Sequence, residues 1–375
     1  MTFVEWETVP LSAVARLKRG FDLPTKSRMR GPYPVVGSAG ISGWHNEGPV
    51  EGPGVVIGRS GSSMGHATYV TGDFWPLNTA MFVDDFLSND PLFVYHLLSC
   101  IDFSAFNSGS AQPSLNRNFI ANIPVAVPPV AEQRAIAELL GALDGKIALN
   151  KQIRGTALEL AGANYDAATP GTSVGIGDIA DLYDGPHATP HKTAEGPWFL
   201  SISSLKNGFL DLPESAHLSE EDFPRWTKRI QPCGGDVLFS YETRLGDAAL
   251  MPPGIRGSLG RRMALLRSKD ATVSGALLLH AYLSPAFQEE IKRRTIHGAT
   301  VDRLPLKEMP GWRITLPVES ERAQLSAKLD ALHATVMQTA HENRTLTELR
   351  DTLLPQLVTG KLRVKDATRA VEEAV

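Results

Sequence analysis

Long apolar stretches, cysteine and excess positive charge are all scarce in this 375-residue chain. It contains no run of about 18 apolar residues, and its first residues lack the cationic and then apolar leader of a secreted protein. These absences predict a chain that is neither inserted into a membrane nor exported. The two cysteines, Cys100 and Cys233, lack the spacing of metal ligands, so we expect reduced thiols and a cytoplasmic location.

Signature motifs of catalysis are also missing. The sequence has no N-P-P-[FYW] or D-P-P-[FYW] tetrapeptide of amino-methyltransferases, no G-x-G-x-x-G loop and no G-x-x-x-x-G-K-[ST] loop for ATP. His187 and His191 are close in sequence, but they lie in a loop rich in Pro and Gly, which favours polar loop histidines over a metal site. We therefore expect a non-catalytic protein with no metal and no cofactor of its own.

Charge is balanced in both halves of the chain. Residues 1–128 contain 8 Lys and Arg against 10 Asp and Glu, and residues 172–316 contain 17 against 17. Tight nonspecific binding to nucleic acid needs many cations that displace counterions from phosphates. The composition thus predicts weak DNA binding by the isolated chain.

The most informative pattern is an amphipathic helix that occurs twice. Apolar residues alternate at spacings of four and three, which places them on one seam of a helix. The first seam is Ile136, Leu140, Leu143 and Ile147, and the second, 189 residues later, is Leu325, Leu329, Leu332 and Val336. A polar residue interrupts both seams at the same place, Asn150 and Thr339. We predict two long helices over 130–165 and 318–354, the second ending before Pro355, that pair antiparallel as a coiled coil.

The repeat extends beyond the helices. At an offset of 165, Val9, Leu11, Val14, Leu17 and Gly20 return as Val174, Ile176, Ile179, Leu182 and Gly185. Further matches are Gly65 with Gly246, Met81 with Met263, Gly109 with Gly298, and Leu115 with Leu304. The halves therefore share one scaffold on which the loops have diverged.

Each half is predicted to mix short strands with few helices. Apolar runs predict strands at 54–59, 79–85, 235–241 and 262–268, and helices are predicted at 91–100 and at 275–294 with a break at Pro285. The fold class is α+β, with a pseudo-two-fold internal repeat of two similar domains joined by the two helices. We divide the chain into domains at 1–128 and 171–317, helices at 129–170 and 318–360, and a tail at 361–375.

Several segments carry a resemblance to a known family. They are PPVAEQRAIAELL after the first domain, IALNKQIRGTALELA at 147–161, DGPHATPHKTAEGPWFLSISSLKNG at 184–208, Gly-Asp at 235–236, and LLPQLVTGKLRV at 353–364. In these segments the chain resembles the specificity subunit of type I DNA restriction–modification enzymes. The resemblance implies two target-recognition domains that each read half of a bipartite double-stranded DNA sequence. It also implies helices that set the spacing and dock two methyltransferase subunits, with motor-nuclease subunits joining for cleavage. S-adenosylmethionine, ATP and Mg²⁺ are then expected on the partner subunits.

Candidate DNA contacts are the polar and cationic residues of the glycine-rich loops, because such side chains supply hydrogen bonds to base edges and phosphates. In the first domain they are Arg59, Ser62, His66, Asn78, Gln112, Asn116 and Arg117. In the second they are His187, Lys192, Tyr241, Arg244, Arg261, Arg262 and Arg303. The two apolar seams are the candidate coiled-coil and partner residues. The alternative function is a non-catalytic helical adaptor whose two heads bind protein.

Overall fold

A computed structural model describes residues 6–109, 113–298 and 300–374. The described residues form two compact units. Unit 1 contains the residues up to Ala148 together with those from Arg344 onward, and unit 2 is Leu149–Asn343. Unit 2 is therefore one continuous segment, whereas unit 1 is assembled from two segments that are distant in sequence.

Short strands predominate in both units. Unit 1 contains β1 (Glu7–Pro10), β2 (Arg16–Arg19), β3 (Tyr33–Gly37), β4 (Gly40–His45), β5 (Gly54–Gly58), β6 (Ala67–Val70), β7 (Trp75–Pro76), β8 (Ala80–Asp85) and β9 (Pro124–Val127). Unit 2 contains β10 (Pro170–Gly175), β11 (Ala180–Asp184), β12 (Thr193–Phe199), β13 (Leu205–Lys206), β14 (Gly208–Leu210), β15 (Ala216–His217), β16 (Val237–Ser240), β17 (Ala248–Leu250), β18 (Gly257–Ser258), β19 (Met263–Ser268) and β20 (Arg313–Pro317). The four predicted strands correspond to β5, β8, β16 and β19.

The helices follow the chain in the order α1 (Pro91–Cys100), α2 (Arg117–Ile120), α3 (Val130–Asp166), α4 (Ile176–Ile179), α5 (Phe223–Trp226), α6 (Gly275–Leu283), α7 (Pro285–Arg294), α8 (Glu319–Val358) and α9 (Val364–Ala374). Local sequence explains their limits. Asp90 caps α1 by accepting from the N–H groups of Leu92 and Phe93, and Pro91 occupies the first turn, where its missing N–H costs nothing. Ser284 caps α7 in the same way, so that Pro285 separates α6 from α7 as predicted.

The sheets repeat from one unit to the other. In unit 1 the strand order β2-β8-β5-β6 matches β11-β19-β16-β17 in unit 2, where two more strands extend the sheet. The pair β1-β9 matches β10-β20, and each unit has a further three-stranded sheet. Gly65 and Gly246 occupy equivalent turns with φ of 83° and 89°, a left-handed conformation that favours glycine. The predicted α+β fold with an internal repeat is confirmed.

The apolar seams lie in the cores of the units. Leu140, Leu143 and their seam neighbours are at most 6% exposed and pack into the core of unit 1 with residues from the C-terminal part of α8, such as Leu353. Leu325 and Leu329 pack into the core of unit 2, Val336 is 1% exposed, and Leu332 is half-buried. The two helices therefore pair antiparallel, and their seam residues pack inside the cores of the two units.

Polar contacts fix the register of this helix pair. In unit 1, Arg350 of α8 binds Asp144 of α3 with a distance of 2.9 Å between nitrogen and oxygen. In unit 2, the buried amide of Asn150 donates to the side chains of Glu342 (2.9 Å) and Asn343 (3.0 Å). A buried hydrogen-bonded asparagine tolerates few alternative alignments of the two helices.

Two expectations about the C-terminal region are wrong. The helix α8 does not end before Pro355 but continues to Val358. Pro355 is exposed, whereas Leu353 and Leu357 are buried in the core of unit 1, and this burial outweighs the loss of one backbone hydrogen bond. The segment predicted as a tail contains α9, whose Ala367 is fully buried in the same core.

Candidate nucleic-acid interfaces

Unit 1 contains a cleft of about 430 Å³ where the end of β2 and the residue after β5 meet the segment that leads into α2. The cleft is lined by Arg19, Arg59, Met81, Ser108, Ser114, Leu115, Asn116 and Arg117. Three of the predicted DNA contacts, Arg59, Asn116 and Arg117, are thus brought together although nearly sixty residues separate them in sequence.

Backbone hydrogen bonds hold Arg59 in place at this cleft. Its N–H donates to the carbonyl of Thr79 (3.0 Å), and its carbonyl accepts from the N–H of Leu115 (2.8 Å). The guanidinium Nη1 donates to the carbonyl of Asn78 at 3.3 Å. On the other side, Asn116 caps α2 by accepting from the N–H of Asn118, which positions Arg117 in the first turn. The geometry of the cleft is therefore fixed by main-chain contacts.

The charge of the cleft is uncompensated. Within the described residues, the side chains of Arg19, Arg59 and Arg117 form no ion pair with a carboxylate, and no acidic residue lines the cleft. Asp84 and Asp85, which follow in β8, pair instead with Lys18 (3.4 Å) and Arg16 (3.5 Å). Three guanidinium groups around one cleft attract an anion such as a phosphate, and they can also donate hydrogen bonds to the acceptor edge of a base.

The other unit 1 candidates lie outside this cleft lining. Ser62 and His66 are exposed in the turn after β5. Asn78 donates its side-chain amide to Asp22 and its carbonyl accepts from Arg59, so it supports the cleft from behind rather than offering its amide to a ligand. Gln112 lies outside the described residues.

Unit 2 brings its candidates together around the end of β16. The Tyr241 hydroxyl is 3.5 Å from Nδ1 of His187, and Nε2 of His187 is 3.2 Å from Asp184. Burial, with a smaller contribution from Glu242 and Asp184, raises the pKa of Tyr241, so its phenol stays protonated and can donate a hydrogen bond. The Tyr241 ring is buried, whereas His187 is exposed and can reach a ligand.

Carboxylates neutralise part of this second site. Arg262 contacts Glu242 at 2.9 Å, and Arg244 contacts Asp247 at 2.6 Å. In the described part of the chain, Arg261, Arg303 and Lys192 form no ion pair, and all three are exposed. Lys192 makes no hydrogen bond to the other candidates. The second site therefore combines hydroxyl, imidazole and guanidinium groups, in contrast to the arginine-rich cleft of unit 1.

The two sites occupy equivalent places in the repeated scaffold. The carbonyl of Arg59 accepts from Leu115, and the carbonyl of Tyr241 accepts from Leu304 at 2.9 Å. Ser114 and Arg303 precede those leucines, and Arg19 and Asp184 each end the strand that flanks the site. The equivalent pairs are thus Arg19 with Asp184, Arg59 with Tyr241, and Ser114 with Arg303. One backbone frame presents different side chains in the two units.

Sequence reasoning missed Arg19, Ser108 and Ser114 in unit 1 and Asp184 in unit 2. Arg19 directly precedes Gly20, and Asp184 directly precedes Gly185, both of which belong to the repeat. A Cβ on Gly20 would lie 2.3 Å from the carbonyl oxygen of Leu77, so the backbone at Gly20 passes very close to the backbone at Leu77. The position directly before a glycine that occurs in both repeats was therefore the sequence signal that could have identified Arg19 and Asp184 as site residues.

Neither a metal centre nor a membrane segment emerges from the described part of the chain. There, no three His, Cys, Asp or Glu side chains converge to hold a metal ion. Among the helices described, none combines the length and the apolar composition that crossing a membrane requires.

Comparison with known proteins identifies relatives of both the sequence and the fold. Residues 3–158 match the family model of the type I restriction modification DNA specificity domain. A Haemophilus influenzae protein named as a type I restriction enzyme specificity subunit is 23% identical over 349 residues, which cover 87% of both chains. The specificity subunit of the Escherichia coli type I restriction enzyme EcoprrI is 29% identical over 112 residues, 30% of this chain and 28% of that one. The crystal structure of a type I restriction-modification S subunit from M. genitalium has the same fold, with a TM-score of 0.64 and 16% identity over 96% of this chain and 97% of that one.

Proposed function

We propose, from the match of residues 3–158 and the similarity to named specificity subunits, that the chain is a type I restriction–modification specificity subunit, and that unit 1 and unit 2 each read one half of a bipartite double-stranded DNA target. The observation that carries this proposal is the pair of equivalent sites. A repeated backbone with different side chains at matching places suits two readers of two different half-sites. The chain supplies sequence specificity and no active site.

The partners in this proposal are two methyltransferase subunits, joined by motor-nuclease subunits when DNA is cleaved. S-adenosylmethionine, ATP and Mg²⁺ belong to those subunits, and the assembly works in the cytoplasm, where its DNA lies. Two long helices set the gap between the half-sites. The absence of methyltransferase and ATP-binding motifs from the sequence supports this division of labour.

A surface on α3 suits the docking of a partner. Leu149, Ile153 and Leu160 are 49%, 38% and 49% exposed, although all three are apolar. Their spacings of four and seven residues place them on one face of the helix, beside the face that buries Asn150 and Ala157. We call this face the α3 stripe. Because the seams are buried in the cores, we propose the α3 stripe, rather than the seams, as the surface that binds a partner.

The proposal is tested by co-expressing the chain with its methyltransferase subunit and sequencing methylated bases in plasmid DNA. We expect methylation at a bipartite sequence with a fixed gap, which disappears when this chain is omitted. Binding by the purified chain alone is expected to be weak at physiological salt, because neither half has excess positive charge. A complex that forms but methylates without regard to sequence would instead favour the adaptor, which none of the comparisons supports.

A further inference from the structure

The three arginines of the unit 1 cleft differ in how firmly they are held. Arg59 is half-buried, its backbone is bonded on both sides, and its Nη1 is bonded to the carbonyl of Asn78. Arg19 and Arg117 are exposed, and their guanidinium groups make no hydrogen bond within the described residues. A fixed side chain loses little conformational entropy when it binds and tolerates little change in the position of its ligand. Arg59 is therefore suited to discrimination, and the other two to general attraction.

The chemistry of the guanidinium group selects among the bases. Its planar pair of N–H donors matches the two acceptors, O6 and N7, on the major-groove edge of guanine. Adenine presents an amino donor in place of O6, so only one of the two bonds could form, and cytosine presents a donor as well. Neighbouring carboxylates would compete for the donors, but none lines the cleft.

We propose that Arg59 reads a guanine in the half-site bound by unit 1, while Arg19 and Arg117 contact the phosphates on either side of it. This inference rests on the proposed function, and it adds a specific base, a specific edge of that base and a specific side chain. In unit 2 the equivalent residue is Tyr241, whose hydroxyl offers one donor and cannot form a two-bond fork. The guanine requirement set by this position therefore belongs to the unit 1 half alone, and the two half-sites differ there.

The test uses the complex of this chain with its co-expressed methyltransferase and labelled duplexes that carry the mapped target. Each guanine of the target is replaced in turn by 7-deazaguanine, which lacks the N7 acceptor. For the wild-type complex, we expect a substitution at one position of the unit 1 half-site to weaken binding by about tenfold or more. For the Arg59→Ala complex, the same substitution should have no further effect, and methylation should accept other bases at that single position.

Matched variants separate base reading from other roles. Arg59→Lys keeps the charge but replaces the rigid planar fork by a flexible ammonium group, so it should weaken the dependence on N7 without abolishing it and retain the overall affinity better than Arg59→Ala. Arg19→Ala and Arg117→Ala should weaken binding to all sequences alike and reduce the salt slope by about one each. Arg16→Ala, on the same strand as Arg19 but paired with Asp85, should change neither. Thermal unfolding of every variant establishes that unit 1 remains folded.

Two results would overturn the proposal. One is an Arg59→Ala complex that is folded and still requires guanine at every position where the wild-type complex requires it. The other is an Arg59→Ala complex that loses affinity for all duplexes alike, which would make Arg59 a phosphate contact. Both differ from failure of the proposed function itself, in which the wild-type complex would show no preference for any base in either half.

Discussion

Among single side chains, three buried histidines make the stability of the protein sensitive to acid. Nε2 of His280 and Nε2 of His333 are 2.9 Å apart, so one ring donates to the other and both are neutral. Burial lowers the pKa of each to about 4, assisted for His333 by its neighbour. Burial also lowers the pKa of His96 in unit 1 to about 4. His96 and His280 occupy the same place in the repeat, since each lies six residues after the cap of its helix, Asp90 and Ser274.

The direction of the pH effect follows from proton binding. An unfolded histidine has a pKa of about 6.5, so between about pH 6.5 and pH 4 the unfolded chain binds protons that the folded protein excludes. Stability is therefore full above this window and falls as the pH falls through it, by about 1 kcal/mol per pH unit for each histidine. Urea unfolding near pH 7 and near pH 5 measures the slope. His333→Gln should reduce the slope relative to the wild-type protein, and equal slopes for the two proteins would contradict the prediction.

Among the elements, α8 contains a correctable defect. Pro355 cannot donate a hydrogen bond to the carbonyl of Asp351, yet the helix continues to Val358 because Leu357 and Val358 are buried. We expect Pro355→Ala to raise the free energy of unfolding of unit 1 by about 1–3 kcal/mol, because it restores the bond and relieves the ring. Chemical denaturation measures the change. Pro285→Ala is the matched control, because Pro285 occupies the first turn of α7, where proline is favourable, and it should not stabilise the protein.

The α3 stripe provides a second prediction about an element. Replacing Leu149 and Leu160 by Glu should leave the melting temperature nearly unchanged, because both side chains are 49% exposed, but should reduce co-purification of the methyltransferase at least tenfold. Replacing the buried Leu140 by Asp should instead lower the melting temperature, because a charge in the core destabilises unit 1 by several kcal/mol. Normal recovery of the partner with the double stripe variant would move the docking surface elsewhere.

Sequence predicted the elements whose signals are local. The spacing of Leu140 and its seam neighbours and the apolar segment at 91–100 each lie within a few turns of chain, and the helices α3 and α1 were located correctly. The set of residues predicted for the cleft was incomplete, because Arg19 comes close to Arg59 only through the pairing of β2 with β8 and of β8 with β5.

Strand pairing also corrects one match in the repeat. Met81 pairs with Ile57, and Phe239, which is equivalent to Ile57, pairs with Ala264. The counterpart of Met81 is therefore Ala264 and not Met263. Identical residue type had suggested an alignment one residue out of register.

For the whole molecule, helix length is predicted to control the gap in the DNA target. Contacts from Asp144 to Arg350 and from Asn150 to Asn343 show which levels of α3 and α8 face each other. Seven residues inserted after Ile147 therefore need seven more after Thr345, at the same level of α8, so that Asn150 keeps its partner. Each insertion adds about 10 Å of helix, which corresponds to roughly three base pairs.

Sequencing of methylated bases measures this outcome. The bases of both half-sites should stay unchanged, while the gap between them becomes longer. Some activity will be lost, since roughly three base pairs also rotate one half-site by about a third of a turn around the duplex. The single insertion after Ile147 is the control and should abolish pairing of the helices. An active double insertion that keeps the original gap would refute control by helix length.

The composition of unit 1 from two distant segments has a consequence for synthesis on the ribosome. Unit 2 is continuous in sequence, so it can complete its core as soon as residues 149–343 have emerged. Unit 1 begins first but must wait, because Leu346, Leu353 and Leu357 belong to its core and Gly360 lies against the ring of Trp6. During translation of nearly two hundred residues, its apolar surface remains uncovered and available to chaperones or to aggregation. The half that is made first is therefore the half that matures last, and a nascent chain stalled when residue 343 had just emerged would carry a complete unit 2 and an incomplete unit 1.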